Sequence, residues 1–99
     1  MNISYSNKIK KKISDDYHIS KNFDSKTGLA IKMVISLLSS AKYLNDIPNV
    51  PPTRRHKLTD GNWAIDVSKN YRMILINISN SDDPIKIDAM IILDICDYH

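Results

Sequence analysis

The stretch Ile85-Lys86-Ile87-Asp88-Ala89-Met90-Ile91-Ile92-Leu93-Asp94-Ile95-Cys96-Asp97-Tyr98-His99 decides the fold. Ile85, Ile87, Ala89, Ile91, Leu93 and Ile95 recur at every second position, the period of a β-strand. That row is apolar throughout, while Lys86, Asp88, Met90, Ile92, Asp94 and Cys96 make a mixed row between its members. The run is longer than the roughly five or six residues of an ordinary strand, so it is expected inside a sheet and not at its edge. Past Ile95 the apolar row gives way to Asp97 and His99, with Tyr98 on the other side. Polar chemistry is thus expected at one end of the strand that carries the core.

Three further strand patterns precede this one. Arg54 to Leu58 is short. Asn62 to Ser68 alternates Trp63, Ile65 and Val67 with Ala64 and Asp66, and Tyr71 to Ile78 alternates Tyr71, Met73 and Leu75 with Arg72, Ile74, Ile76 and Ile78. Lys69-Asn70 fits a two-residue hairpin turn, and Ser79 to Pro84 is a polar loop. Upstream, Pro48, Pro51 and Pro52 deny helix and strand pairing to an extended connector over residues 45–52.

The helical signals lie before the connector. Asp24 or Ser25 can cap a helix whose apolar stripe is Ala30, Met33, Val34, Leu37, Leu38, Ala41 and Leu44. Met33 is expected in the core as a gap-filling thioether. An earlier basic helix, capped by Ser6, sets Ile9, Ile13 and Tyr17 at four-residue spacing among Lys8, Lys10, Lys11 and Lys12, whose plainest role is a solvated face. Ile3 and Tyr5 form a short first strand. The order predicts an α+β fold: a short N-terminal strand, then two helices packed on one face of a mainly antiparallel sheet.

With 99 residues and 42% hydrophobic content, the chain suits a single domain over residues 1–99. No apolar run nears the roughly 18 residues of a membrane span, and the start lacks a signal-peptide core, so a cytoplasmic protein with no membrane partner is expected. Cys96 is the single cysteine, which excludes a disulfide framework and a thiolate metal cluster and reads as a packed thiol. The net charge of +3 is weak evidence for an acidic partner, but Arg54, Arg55, Lys57, Lys69 and Arg72 gather in the second half. Every acidic residue is aspartate, so a carboxylate catalyst must be one.

Arg72 shares a strand face with isoleucines, a costly site for a guanidinium unless it meets an anion. A structural ion pair with Asp97, Asp94 or Asp66 and a phosphate-binding role are both consistent with that. His56 and His99 lie on strand segments, whereas His18 reads as surface. Together with Asp97, Tyr98 and Arg72 they suit RNA cleavage, in which the 2′-hydroxyl is the nucleophile. The protein must then supply only a base, an acid and a cation for the crowded phosphate. No metal or other cofactor is required, and no spacing such as His-Glu-x-x-His supports a zinc site from His56, His99 and Asp97. Trp63 is expected in the core or as a hairpin cover, and Tyr98 as a surface for base stacking.

Leu44-Asn45-Asp46-Ile47-Pro48, Pro51 to Leu58, Trp63 to Val67, Tyr71-Arg72-Met73-Ile74 and Asp97-Tyr98-His99 together resemble HigB-type toxins of the RelE/ParE superfamily. The match spans nearly the whole chain, and the His-x-Leu strand, the Tyr-Arg-hydrophobic strand and the closing Asp-Tyr-His are its specific parts. The resemblance implies a RelE-like fold and a ribosome-dependent mRNA endonuclease that arrests translation and growth. Its implied partners are the ribosome, mRNA and an antitoxin that usually carries a helix-turn-helix DNA-binding domain, with operator DNA reached only through that antitoxin. Carried over by position, His56, Arg72, Asp97, Tyr98 and His99 form the catalytic set. His99, with a chain-terminal carboxylate beside its ring, is expected to be the acid. Arg54, Arg55 and Lys57 would contact RNA backbone without reading sequence. Thr59 stands at the RNA-contacting position where the family commonly has lysine, and the hairpin after it is shortened. Non-nuclease action on the same fold, as in ParE-like gyrase inhibitors, and a catalytically weak antitoxin-binding module are the rival readings.

Overall fold

The computed structural model describes residues 1–97. Strand β1 (Asn2–Tyr5) leads into helices α1 (Asn7–Ile13), α2 (Asp16–Asn22) and α3 (Ser25–Ser40). A 3-10 turn at Leu44–Asp46 and the proline connector follow. Strands β2 (His56–Lys57), β3 (Trp63–Asp66), β4 (Tyr71–Asn77) and β5 (Ala89–Asp97) then complete a sheet of order β1-β5-β4-β3-β2. Only β1 is parallel to its neighbour; the other pairs are antiparallel. The fold is α+β, with β5 in the sheet interior as its length predicts.

The helices form where the caps are. Ser6 Oγ accepts from Ile9 N and donates to Leu93 O at 2.7 Å, so one hydroxyl starts α1 and ties it to β5. Asp24 caps α3 by accepting from Thr27 N, and hydrogen bonding from the Thr27 side chain, then from its backbone N–H, holds the Asp24 carboxyl below the ordinary range. The expected long basic helix is instead two. Asp15 accepts from His18 N at 2.9 Å and begins α2 anew, leaving Tyr17 66% exposed and outside the apolar stripe of Ile9 and Ile13. Where α2 crosses α3, Gly28 makes room: a Cβ there would lie 2.8 Å from Ile19 Cγ2.

Ile9, Ile31, Val34 and Leu38 from the helices pack with Trp63, Ile65, Met73, Leu75, Met90, Ile92 and Ile95 from the sheet. Two expectations of phase are corrected here. Met33 is 60% exposed, with Leu29 and Leu37 beside it, because α3 is apolar on more than one side and buries the Ile31, Val34 and Leu38 stripe instead. In the last stretch, Ile85 is 55% exposed and Ile87 is buried from a turn that precedes the strand. The strand's core row is Met90, Ile92 and Ile95, not Ala89, Ile91 and Leu93. A bulge explains the switch. Ile74 pairs with Asp94 but Leu75 pairs with Ile92, so Leu93 is extra and the side-chain phase resets.

Among the described residues no helix is long and apolar enough to cross a membrane.

Candidate active site

Alternation along the strands leaves a second sheet face, and its cross-strand register assembles the polar residues in rows. His56 lies opposite Ala64, Ala64 opposite Ile74, and Ile74 opposite Asp94. One step along, Asp66 lies opposite Arg72, and Arg72 opposite Cys96. Arg54, two residues before His56, meets Asp66 at the end of this second row: Nε donates to Oδ2 at 2.8 Å and Nη2 to Oδ1 at 3.3 Å. Two strand spacings and one two-residue step separate the Cα atoms of His56 and Arg72 by about 12 Å. An arginine and an imidazole can both reach a group of phosphate size across that gap.

His56 is half-buried, and its Nδ1 lies 2.7 Å from the carbonyl oxygen of Arg54. A carbonyl only accepts, so Nδ1 carries a proton and donates it to this bond. In the neutral ring this leaves Nε2 as the nitrogen with a lone pair. Arg54 reaches this geometry with φ of 43°, the left-handed region that costs a non-glycine residue about 1–3 kcal/mol. Its surroundings hold it there. Arg54 N donates to Val50 O at 2.9 Å, Asp66 N to Thr53 O at 2.8 Å, and buried Thr53 donates its Oγ1 proton to Pro48 O at 2.8 Å.

Arg72 lies between Asp66 and Cys96 in register, half-buried, with its Nε out of solvent contact. Asp94, one of its anticipated partners, is taken from the other side: Lys8 Nζ lies 2.9 Å and Lys12 Nζ 4.0 Å from its oxygens. Partial burial alone would raise the Asp94 carboxyl, but hydrogen bonds from Lys8, Ile95 N and the Cys96 thiol bring it below its ordinary range. Burial, then Asp94, push the Cys96 thiol up, so it is a half-buried thiol and not a ready nucleophile.

The remaining anticipated residues divide. Asp97 is exposed and lies opposite Tyr71, which puts it on the pleat side of Ile95 at the end of the sheet, out of phase with Arg72. Arg55 turns inward, with Nε donating to Ile47 O at 2.8 Å and its guanidinium 5.7 Å from the Trp63 ring. Lys57 lies on the pleat side opposite His56, its ammonium 6.0 Å from the same ring. Trp63 is buried as expected. Thr59 is exposed in the turn between β2 and β3. Tyr98 and His99 lie outside the described residues.

What sequence reasoning missed is the contact of Arg54 with Asp66. Residues 54 and 66 oppose each other once His56 is paired with Ala64, so the hairpin register was the available signal. Among the described residues no three His, Cys or Asp side chains gather as a metal-binding group. Cavities of about 250, 260 and 170 Å³ lie against α2–α3, α1 and α3, and neither His56 nor Arg72 lines any of them.

No protein-family model matches the chain, and no curated protein matches it in sequence. Among solved structures it is similar to a YoeB/ParE toxin from Agrobacterium tumefaciens, with a TM-score of 0.59 and 13% identity over 100% of both chains. At that identity the likeness is one of fold.

Proposed function

We propose that this chain is the toxin of a type II toxin–antitoxin pair and cleaves mRNA on the ribosome. The observation that carries the reading is the shared sheet face of His56 and Arg72, with the imidazole Nδ1 held at 2.7 Å from the Arg54 carbonyl oxygen. Fold likeness to a YoeB/ParE toxin supports the toxin assignment.

In the proposed reaction His56 Nε2 takes the proton of a ribose 2′-hydroxyl, whose oxygen attacks the adjacent phosphorus. Arg72 stabilises the added negative charge of the five-coordinate phosphate, and no metal is needed. The P–O5′ bond breaks as an acid protonates the leaving oxygen, giving a 2′,3′-cyclic phosphate and a 5′-hydroxyl. His99 is proposed as that acid, with its sequence neighbours Asp97 and Tyr98 as the other proposed members of the catalytic set. Arg54, Arg55, Lys57 and Thr59 are the proposed RNA or ribosome contacts, with Arg54 and Arg55 also engaged within the protein. An open face suits a substrate that arrives already enclosed by a large partner. The antitoxin, with its own DNA-binding domain, would silence the toxin in the cytoplasm.

Purified chain mixed with translating ribosomes and a defined mRNA tests this. Cuts within the reading frame that vanish in Arg72→Ala and His99→Ala support it. Growth arrest that survives both substitutions, with supercoiling by gyrase inhibited, would transfer the chain to the ParE-like class. Neither arrest nor cuts would leave an antitoxin-binding module.

A further inference from the structure

We propose that the Arg54 and Asp66 ion pair is a positioning device for His56. It holds Arg54 in the left-handed backbone conformation that turns the Arg54 carbonyl onto His56 Nδ1, so that Nε2 faces substrate as the base. The inference rests on the reading of His56 as proton acceptor.

Three observations converge on it. First, Arg54 is the one non-glycine residue with positive φ among the described residues, at 43°. A long cationic side chain has no intrinsic preference for that region, so the conformation is imposed by its contacts. Second, those contacts are specific. The guanidinium grips both oxygens of Asp66, at 2.8 and 3.3 Å, in a planar fork that fixes orientation as well as distance. Asp66 is itself fixed by its place in β3 and by its N–H donating to Thr53 O. Third, the oxygen that the strained residue presents is the one His56 Nδ1 meets at 2.7 Å. A backbone carbonyl is a better tautomer lock here than a carboxylate. It orients the ring through a fixed acceptor that belongs to the backbone itself. The clamp therefore leaves Nε2 aimed at substrate.

Arg54 and Asp66 need not touch the RNA in this scheme. Their effect passes through the tautomer and orientation of one ring, which a general loss of stability would not reproduce.

The test is long-range 1H–15N correlation of the His56 ring in the intact chain, recorded above its titration, for wild type, Asp66→Ala, Arg54→Ala and Arg54→Gly. Wild type should show the proton on Nδ1. Asp66→Ala and Arg54→Ala should lose more than half of that form to the Nε2–H tautomer. Glycine adopts positive φ without strain, so Arg54→Gly should retain more of the Nδ1–H form than Arg54→Ala although both lack the guanidinium. Asp66→Asn, which keeps the shape of the side chain, replaces Asp66→Ala if the latter does not fold. Cleavage on purified ribosomes should fall at least in proportion to the Nδ1–H form that is lost, about twofold or more. An unchanged tautomer in Asp66→Ala, or equal loss in Arg54→Gly and Arg54→Ala, would overturn the positioning role. A shifted tautomer with undiminished cleavage would uphold the clamp and overturn His56 as the base.

Discussion

The two faces of one sheet divide the work of this molecule. On the helix-covered face β3, β4 and β5 place Ile65, Met73, Leu75, Met90, Ile92 and Ile95, all of them buried among helix side chains. On the other face the same strands place Asp66, Arg72, Asp94 and Cys96 in rows with His56 and Arg54. Since alternate residues of a strand point to opposite sides, stability and the proposed chemistry fall on interleaved positions and can be altered separately. Residues that touch in sequence do unrelated jobs: Arg72 presents charge, and Met73 fills the core.

Substitutions on the two faces should therefore part company. Leu75→Ala should lower stability by about 2–5 kcal/mol, read as a lower denaturant midpoint at unchanged slope. The activity of its folded fraction should stay close to wild type. Arg72→Met should do the reverse. On the proposed reaction, loss of the Arg72 charge should slow cleavage by about 10²–10³. The denaturant midpoint of this variant should move less than that of Leu75→Ala, because Arg72 is half-buried and outside the hydrophobic core cluster.

A weaker effect is expected where the helices meet. Gly28→Ala forces Ile19 Cγ2 away from a Cβ that would lie 2.8 Å from it. Overpacking costs about 1–3 kcal/mol and alanine's helix propensity returns about 1, so thermal melting should report a net loss near 1 kcal/mol.

The smallest effect concerns acid. The Asp94 carboxyl lies below its ordinary range in the folded chain, so its contribution to stability is complete above the unfolded value. That contribution drains away as pH falls through the lower folded value. Asp94→Asn should flatten the acid limb of the stability profile and leave the neutral region's slope unaltered. An acid limb as steep as wild type would show that Lys8 and Lys12 do not anchor α1 through this carboxylate.

The same contrast explains how much could be read beforehand. Strand positions, the Ser6 and Asp24 caps and the α+β order were legible because each rests on local chemistry that tertiary contacts did not override. The phase of β5 was not. Both of its rows are apolar, so alternation alone could not say which row faces the helices, and the bulge at Leu93 changes the answer midway. The same ambiguity misled the reading of α3, where Leu29, Met33 and Leu37 form a stripe as apolar as the buried one. In the site, the register sets His56 and Arg72 on one sheet face, and both were singled out by residue type and strand placement. The grip of Arg54 on Asp66 was not, because a left-handed arginine leaves no mark in composition or period.

The most direct test of the central claim is 5′-end mapping of cellular mRNAs after brief expression of wild type and Arg72→Met, with and without a drug that blocks translation initiation. The account predicts cuts inside reading frames that bear 5′-hydroxyl ends, require Arg72 and disappear when initiation is blocked. Growth arrest without such cuts, or cuts that persist in Arg72→Met, would contradict it.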